Sequence, residues 1–316
     1  LETRLRIKVG LFTGDHRQRA VMRITVGTFQ SLFADLKKPA RTFPWASIRA
    51  VAWDEVHVLG AKTYWTVSQA LPNACWRYGF SSTPLQRSDK KGLLVMASTG
   101  PVIHRVRARE LAARGLVTLP KVKFIHLDRP CIKTRSWPVA YKRGCTGNIQ
   151  RNLEAVTRVR SMEKPSLVFI REIAHGEAIL ELLQNAGEQA RFVNGGLPDA
   201  EQEALVTAFK AGQIPILVST VVLRQGLDIP NVRTVVNLTG GSSSIDSLQK
   251  AGRGMRVAAG KLAFTVVDFL DRARCMHEDS QGRPMFLHRG CEYLEMHARA
   301  RKRAFVQEGF EVTEEL

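Results

Sequence analysis

The sequence lacks any apolar run that approaches the roughly 18 residues needed for a membrane-spanning helix. Its first residues, Leu1-Glu2-Thr3-Arg4, contain no apolar segment of the secretory type, and they do not begin with Met. These absences argue against a membrane protein and against a secreted one. We therefore expect a cytoplasmic protein with no membrane partner.

Cysteine is also scarce, and no two cysteines have the Cys-x-x-Cys spacing of common zinc sites. The scattered positions argue against both a zinc site and a disulfide framework. The five residues are Cys75, Cys131, Cys145, Cys275 and Cys291.

Acidic residues are few compared with basic ones. The chain has 47 Lys and Arg against 29 Asp and Glu, which gives a formal charge of +18 and a pI near 10.2. A charge this far from zero indicates a polyanionic partner, and nucleic acid is the first candidate. The alternative is a basic protein with no such partner. The length of 316 residues favours two domains, and 44% hydrophobic residues suffice for buried cores.

Strand-like and helix-like runs alternate along the chain, which predicts an α/β fold with parallel sheets. The segment from about 117 to 150 has no sustained periodicity and contains Pro120, Pro130 and Pro138, so we interpret it as strands and loops between domains. Near the end, Arg299, Arg301, Lys302 and Arg303 form a basic run on an expected helix, interpreted as a solvated face. The expected strands are Arg23 to Val26, Ala50 to Trp53, Tyr78 to Ser81, Ser166 to Ile170, Ile214 to Ser219, Val232 to Leu238 and Leu262 to Val267.

A carboxylate pair, Asp54 and Glu55, follows the apolar run Val51-Ala52-Trp53. Carboxylates at the end of a buried strand lie at the edge where α/β sheets bind ligands. One of them can hold Mg²⁺ and the other can orient water for hydrolysis of a nucleotide. The alternative is two surface carboxylates without a catalytic role.

Six segments in order make the chain resemble the superfamily 2 helicases of the DEAD/DEAH type, and within them the phage and repair-type DNA helicases. Ser82 departs from the alanine that is usual in motif III. The segments are Val26 to Leu32 (motif Ib), Asp54 to His57 (motif II), Ser81 to Pro84 (motif III), Leu167 to Ile170 with His175 (motif IV), Thr220 with Gln225 to Pro230 (motif V) and Gln249 to Arg256 (motif VI).

The resemblance implies two RecA-like P-loop NTPase domains with parallel sheets, the first of them incomplete. On this basis residues 1–118 form a partial ATP-binding domain with motifs Ib, II and III. Residues 119–150 connect the domains, and residues 151–273 form the helicase C-terminal domain with motifs IV, V and VI. Residues 274–316 are a basic C-terminal extension.

The resemblance also implies roles for individual residues, with ATP and Mg²⁺ as cofactors. Asp54 would hold Mg²⁺ and Glu55 would activate water, while Arg253 and Arg256 would meet the γ-phosphate. The implied catalytic residues are Asp54, Glu55, His57, Arg253 and Arg256; the nucleotide-binding residues are Gln249, Gly226, Asp228 and Asp54; and the nucleic-acid contacts are Thr28, Gln30, Ser81, Thr83 and Thr220.

One of the helicase motifs, the phosphate loop Gly-x-x-x-x-Gly-Lys-Ser/Thr, is absent from the sequence. Gly260-Lys261 is followed by Leu262, and Lys90-Lys91-Gly92 has the wrong order. The loop supplies N–H groups and a lysine to the phosphates. Its absence predicts weak ATP binding and an unpaired edge in the first sheet. We expect a missing N-terminal helicase segment that lies elsewhere.

The sequence thus favours an ATP-dependent DNA helicase or translocase, acting in phage or bacterial DNA replication, recombination or repair. Its partner would be single-stranded DNA or branched duplex DNA. The alternative from a different class is a non-catalytic nucleic-acid-binding helicase remnant or a split-helicase subunit. An RNA motor is the weaker third interpretation.

Overall fold

A computed structural model divides the chain into two compact units, Leu1–Arg105 and Val106–Leu316. No helix among the residues it describes is long and apolar enough to cross a membrane. The structure describes residues 6–14, 22–81, 85, 91–129, 131–220, 229, 231–242, 252, 255, 257, 264–273 and 275–315.

The N-terminal unit contains two pairs of parallel strands and short helices around one core. Strand β1 (Gly10–Phe12) pairs with β2 (Thr25–Gly27), and β3 (Ala50–Trp53) pairs with β4 (Trp76–Gly79). No strand among the described residues pairs with the other edge of β4. The helices are α1 (Phe29–Leu36), α2 (Lys62–Gln69) and α3 (Gly92–Thr99), with 3₁₀ turns at Trp45–Ser47 and Val56–Gly60.

Aromatic side chains dominate the core of this unit. Phe29 stacks on Trp53 with ring centroids 5.1 Å apart and an interplanar angle of 16°, an arrangement that adds to simple burial of area. Trp76 and Tyr78 of β4, and Phe80 directly after it, are instead exposed, at 63%, 45% and 61%. Strand β4 therefore presents an apolar stripe to the outside of the described fold.

Arg77 of β4 stabilises the loop that connects α2 to β4. Its guanidinium donates to the carbonyl oxygens of Ser68, Leu71 and Ala74 at 2.9, 2.7 and 2.9 Å. The Ser68 carbonyl is in the last turn of α2 and the other two follow it, where helical partners run out. One side chain thus satisfies several of the acceptors and fixes the distance between α2 and β4.

The buried carboxylate of Asp35 organises the loop after α1. It accepts hydrogen bonds from the N–H of Thr42 at 3.0 Å, the hydroxyl of Thr42 at 2.6 Å, the N–H of Phe43 at 3.0 Å and Nε1 of Trp45 at 3.1 Å. Burial raises the pKa of Asp35, but these donors outweigh it and lower the pKa to about 2. The charged form is therefore the one that the fold requires.

The C-terminal unit is built on a seven-stranded sheet in which every neighbouring pair is parallel, in the order β13-β5-β10-β9-β6-β8-β7. This confirms the α/β fold with parallel sheets that the sequence predicts. The strands are β5 (Pro120–Arg129), β6 (Ser166–Ile170), β7 (Ala190–Val193), β8 (Ile216–Thr220), β9 (Thr234–Asn237), β10 (Phe264–Ala273) and β13 (Glu311–Glu315).

Helices cover both faces of this sheet, and a small antiparallel hairpin of β11 (Met276–Glu278) and β12 (Pro284–Phe286) lies outside it. Strands β6, β8 and β9 are buried at every position, as expected for parallel strands covered on both sides. The helices are α4 (Ala108–Ala113), α5 (Trp137–Tyr141), α6 (Ile149–Ser161), α7 (Ile173–Asn185), α8 (Asp199–Lys210) and α9 (Arg289–Gln307), with a π turn at Lys142–Thr146.

Arg301 of α9 corrects the interpretation of the basic run as a solvated face, because it is only 1% exposed. Its Nε and Nη2 atoms donate to the carboxylate of Asp268 in β10 at 2.9 and 2.8 Å, and Nη1 donates to the carbonyl of Gly241 at 2.6 Å. Burying a guanidinium requires such a partner. This ion pair fixes α9 on the sheet.

Replacing Asp35 with Asn should destabilise the N-terminal unit by about 2 kcal/mol, because a buried ionic acceptor with four donors is lost. The wild-type contribution is complete above the ordinary pKa of 3.8 and disappears as the pH falls toward about 2. Urea unfolding followed by tryptophan fluorescence at pH 7 and pH 3 measures both effects. Asp199→Asn, at an exposed aspartate of the other unit, is the control. Equal stability of Asp35→Asn and wild type at pH 7 would contradict the assignment.

Candidate active site

Asp54 and Glu55 follow β3 directly, at the carboxyl end of the strand. Asp54 is exposed, and its Oδ1 accepts the N–H of Glu55 at 2.9 Å. Glu55 is the residue before the 3₁₀ turn Val56–Gly60. Both carboxylates therefore lie where parallel α/β sheets bind ligands, as the sequence predicts.

The backbone of Glu55 is in the left-handed region, with φ 49° and ψ 48°. A residue other than glycine pays of order 1 kcal/mol or more for this conformation. Hydrogen bonds on either side hold it there: the N–H of Val56 donates to the carbonyl of Phe80, and the N–H of Phe80 donates to the carbonyl of Trp53, both at 2.9 Å. The β3–β4 ladder thus continues past both strands and determines where Glu55 stands.

His57 contacts both the Glu55 carboxylate and Ser81, which follows β4 and begins the third motif. Its Nδ1 lies 3.2 Å from Oε2 of Glu55 and forms a hydrogen bond of 3.0 Å with Oγ of Ser81. Oε2 of Glu55 is buried and makes no hydrogen bond within the described part of the chain, so its contact with His57 is a close charge contact. Three residues that the sequence predicts as site residues are therefore brought together within the N-terminal unit.

The protonation of Nδ1 of His57 decides what its two contacts can be. An Nδ1 that carries a proton can donate to the Ser81 hydroxyl and places an N–H beside the Glu55 carboxylate. An Nδ1 without a proton can only accept, and the Ser81 hydroxyl becomes the donor. A movement of Ser81 would alter its hydrogen bond with His57 and, through the ring, the contact with Glu55.

Gly79, at the end of β4, allows motif II to approach the strand. A Cβ atom at this position would stand 2.6 Å from Cγ2 of Val56 and 2.9 Å from its Cβ. Val56 is 2% exposed, and its N–H is bound to Phe80. It therefore has little room to move, and only a glycine fits at position 79 without displacing the residue that follows Glu55.

The predicted nucleic-acid contacts of this unit stand near its surface. Thr28 is exposed and caps α1, where its hydroxyl accepts the N–H of Ser31 at 3.4 Å. Gln30 is exposed in the first turn of the same helix. Both are available to a backbone phosphate, which side-chain donors and helix N-termini commonly bind. Ser81 is half-buried beside His57, and Thr83 lies outside the described residues.

In the C-terminal unit, Thr220 is the last residue of β8 and is paired in register with Ile170 of β6. It is 4% exposed, and its hydroxyl makes no hydrogen bond within the described part of the chain. Ile170 of motif IV and Thr220 of motif V therefore meet at one edge of this sheet. The remaining predicted residues, Gly226, Asp228, Gln249, Arg253 and Arg256, lie outside the described residues.

A cluster of buried polar side chains lies beside the sheet, and the sequence did not predict that its members are close together. Nε of Arg151 donates to Asp271 at 3.1 Å, and Nε2 of His175 lies 3.0 Å from Oδ1 of Asn152. Burial, assisted by the charge of Arg151, lowers the pKa of His175 to about 4. Its ring is therefore neutral at physiological pH. The adjacent pair Arg151-Asn152 and the motif IV histidine were the only signals in the sequence, and they are 23 residues apart.

Gly79→Ala should lower the stability of the N-terminal unit by about 1–3 kcal/mol, since an added methyl overlaps a fixed neighbour. Urea unfolding of the variant measures the loss. The matched control is Gly14→Ala, where a Cβ atom meets nothing within 4 Å. Adding Val56→Ala to Gly79→Ala makes room, so the two changes together should cost less than their sum. Strict additivity would show that the two sites do not touch.

The comparisons with known proteins find related helicases. Residues 149–258 match the family model described as "Helicase conserved C-terminal domain". The ATP-dependent DNA helicase uvsW of Enterobacteria phage T4 is 25% identical over 297 residues, which cover 91% of this chain and 57% of the relative. The ATP-dependent RNA helicase DeaD of Mycobacterium tuberculosis is 36% identical over 91 residues, covering 28% of this chain and 16% of the relative.

Solved structures give the same fold at low identity. The crystal structure of T4 UvsW has a TM-score of 0.51 at 21% identity, covering 97% of this chain and 61% of that one. S. cerevisiae Dbp5 bound to RNA and ADP BeF3 has a TM-score of 0.58 at 16% identity, with coverages of 98% and 70%. The chain spans about half the length of the curated relatives it matches.

The likeness in structure establishes the fold, and the family match covers the segment from α6 to beyond β9. Motifs IV, V and VI, identified from their residues alone, fall within that segment or at its edge. The chain therefore contains a helicase conserved C-terminal domain, and its resemblance to the superfamily 2 helicases is confirmed.

Proposed function

We propose that this chain acts as an ATP-dependent DNA helicase or translocase, in DNA replication, recombination or repair. The observation that carries the proposal is the contact of His57 with both Glu55 and Ser81. It joins a carboxylate suited to hydrolysis with a residue just beyond the end of β4. Such a link is what coupling of hydrolysis to movement requires.

DNA is the proposed substrate for two reasons. The formal charge of +18 suits a polyanion. A relative that aligns with 91% of this chain is named a DNA helicase, whereas the RNA helicases DeaD and DBP3 align with 28% and 63%. The C-terminal domain is common to DNA and RNA motors, so the longer alignment is the better guide to substrate.

Asp54 fits Mg²⁺ because it is an exposed carboxylate at the carboxyl end of a strand, and hard oxygen ligands suit this ion. Bound there with ATP, Mg²⁺ would neutralise charge on the phosphates. Glu55 would accept a hydrogen bond from the attacking water and orient it. His57 would hold Glu55 through Nδ1, so that the carboxylate keeps one orientation.

The other proposed roles rest on the motifs in which the residues stand. Arg253 and Arg256 would meet the charge that develops on the γ-phosphate, a task suited to guanidinium groups. Gln249, Gly226 and Asp228 would line the nucleotide. The proposed contacts with the nucleic-acid backbone are Thr28, Gln30, Ser81, Thr83 and Thr220.

A nucleic-acid-binding protein without catalysis is the second candidate. The observation that favours it is the absence of Gly-x-x-x-x-Gly-Lys-Ser/Thr from these 316 residues. Backbone N–H groups and the lysine of that loop ordinarily hold the β- and γ-phosphates. Retention of Asp54, Glu55, Arg253 and Arg256 favours the catalytic function, because binding alone needs none of them.

The test is ATP hydrolysis by the chain with and without single-stranded DNA. We expect DNA to stimulate hydrolysis, and we expect Asp54→Ala to abolish it while DNA binding is retained. Asp199→Ala, which removes an exposed carboxylate of the C-terminal unit, is the control. Hydrolysis that survives in Asp54→Ala would contradict the assignment of motif II.

DNA binding at several salt concentrations separates the two candidates. Each phosphate contact should contribute a slope of about −0.7 in log K against log salt for a single strand. Salt-sensitive binding with no hydrolysis would favour the non-catalytic protein. Tighter binding of RNA than of DNA of the same sequence would overturn the choice of substrate, and no binding to either would overturn both candidates.

A further inference from the structure

Three cysteines that are distant in sequence converge in the C-terminal unit. Cys131 follows β5, Cys275 lies between β10 and β11, and Cys291 is in the first turn of α9. Their sulfur atoms all lie within 4.8 Å of one another. Their spacing in the sequence argues against a zinc site, but the fold brings the three thiols into one compact group.

The group is largely shielded from water. Cys291 is fully buried, Cys275 is 9% exposed and Cys131 is half-buried. The N–H of Ile132 donates to Sγ of Cys291 at 3.1 Å. A backbone donor of this kind stabilises charge on a sulfur atom. Cys131 is therefore the cysteine of the three that is most accessible to solvent.

Each of the three thiols must lose its proton before its sulfur can bind a metal ion. Without a cation, ionising one thiol would place a charge in a buried site. A bound metal ion removes this penalty, because it deprotonates its thiol ligands outright.

We propose that Cys131, Cys275 and Cys291 bind one Zn²⁺ ion as three thiolates, with the fourth position open to an exogenous ligand. Zn–S bonds of about 2.3 Å place the sulfurs of a tetrahedral site about 3.8 Å apart. Separations up to 4.8 Å therefore require the sulfurs to close by about 1 Å at most. Thiolate ligands select zinc over Mg²⁺, which prefers oxygen.

A disulfide would not account for all three residues, because it uses two sulfurs and leaves the third unexplained. All five cysteines of the chain are free thiols in this structure. Three thiolates around Zn²⁺ carry a net charge of −1.

The site would act as a staple for the C-terminal part of this unit. It joins the end of β5 and the start of α9 across 160 residues of sequence, with the β11–β12 hairpin between Cys275 and Cys291. The cysteines belong to a small core with Ile132, Tyr141 and Leu294. A small core gains most from a metal ion, since binding energy adds directly to folding energy.

The test is the metal content of the full chain, purified under reducing conditions and dialysed against trace Zn²⁺. We expect one Zn²⁺ per chain, and Co²⁺ in its place should give the strong thiolate charge-transfer absorption of a sulfur-rich tetrahedral site. Cys291→Ser and Cys131→Ser should each lose stoichiometric binding. Cys145→Ser, in the same small core but outside the three, and Cys75→Ser should keep it.

Where Cys291→Ser fails to fold, the half-buried Cys131→Ser and the Co²⁺ spectrum of the wild type decide the matter. A folded wild-type chain that binds no Zn²⁺ would overturn the proposal. So would a disulfide between two of the three cysteines in freshly purified protein, or a rate of thiol labelling at these positions that Zn²⁺ leaves unchanged. Loss of ATP hydrolysis alone would not bear on it, because none of these residues belongs to motifs Ib to VI.

Discussion

The parallel pairing of β3 with β4 is the constraint on which the candidate active site depends. It places the carboxyl ends of the two strands side by side, so that Glu55 and Ser81 lie on either side of His57. Backbone bonds beyond the strands hold Glu55 in a left-handed conformation. Because Gly79 has no side chain, Val56 can pack closely against the end of β4. A small shift of β4 would therefore change the hydrogen bond between Ser81 and His57 and, with it, the contact of His57 with the Glu55 carboxylate.

The C-terminal unit uses the same geometry with more strands and a larger core. Its seven parallel strands bring Thr220 and Ile170 to one edge, while buried ion pairs hold the surrounding helices. Arg301 contacts Asp268 and Arg151 contacts Asp271, both in β10. Such pairs are weak sources of stability, but each one specifies a single position for its helix.

Motif order and hydrophobic pattern predicted much of this from sequence, because both are local. The position of Asp54 and Glu55 after a strand followed from one apolar run, and the parallel sheets followed from the alternation of elements. Arg301 could not be distinguished from its exposed neighbours, since its partner Asp268 is 33 residues away. The convergence of Cys131, Cys275 and Cys291 is likewise a product of topology, which no spacing rule records.

The central claim is that one imidazole contacts both the carboxylate that we propose for hydrolysis and Ser81, the first residue of motif III. Its most direct test is the ring ¹⁵N spectrum of His57 in the wild type, in Glu55→Gln and in Ser81→Ala at neutral pH. We expect the Nδ1 resonance to change in both variants, because one removes a charge and the other a hydroxyl beside that atom. An Nδ1 resonance that is the same in all three proteins would contradict the claim.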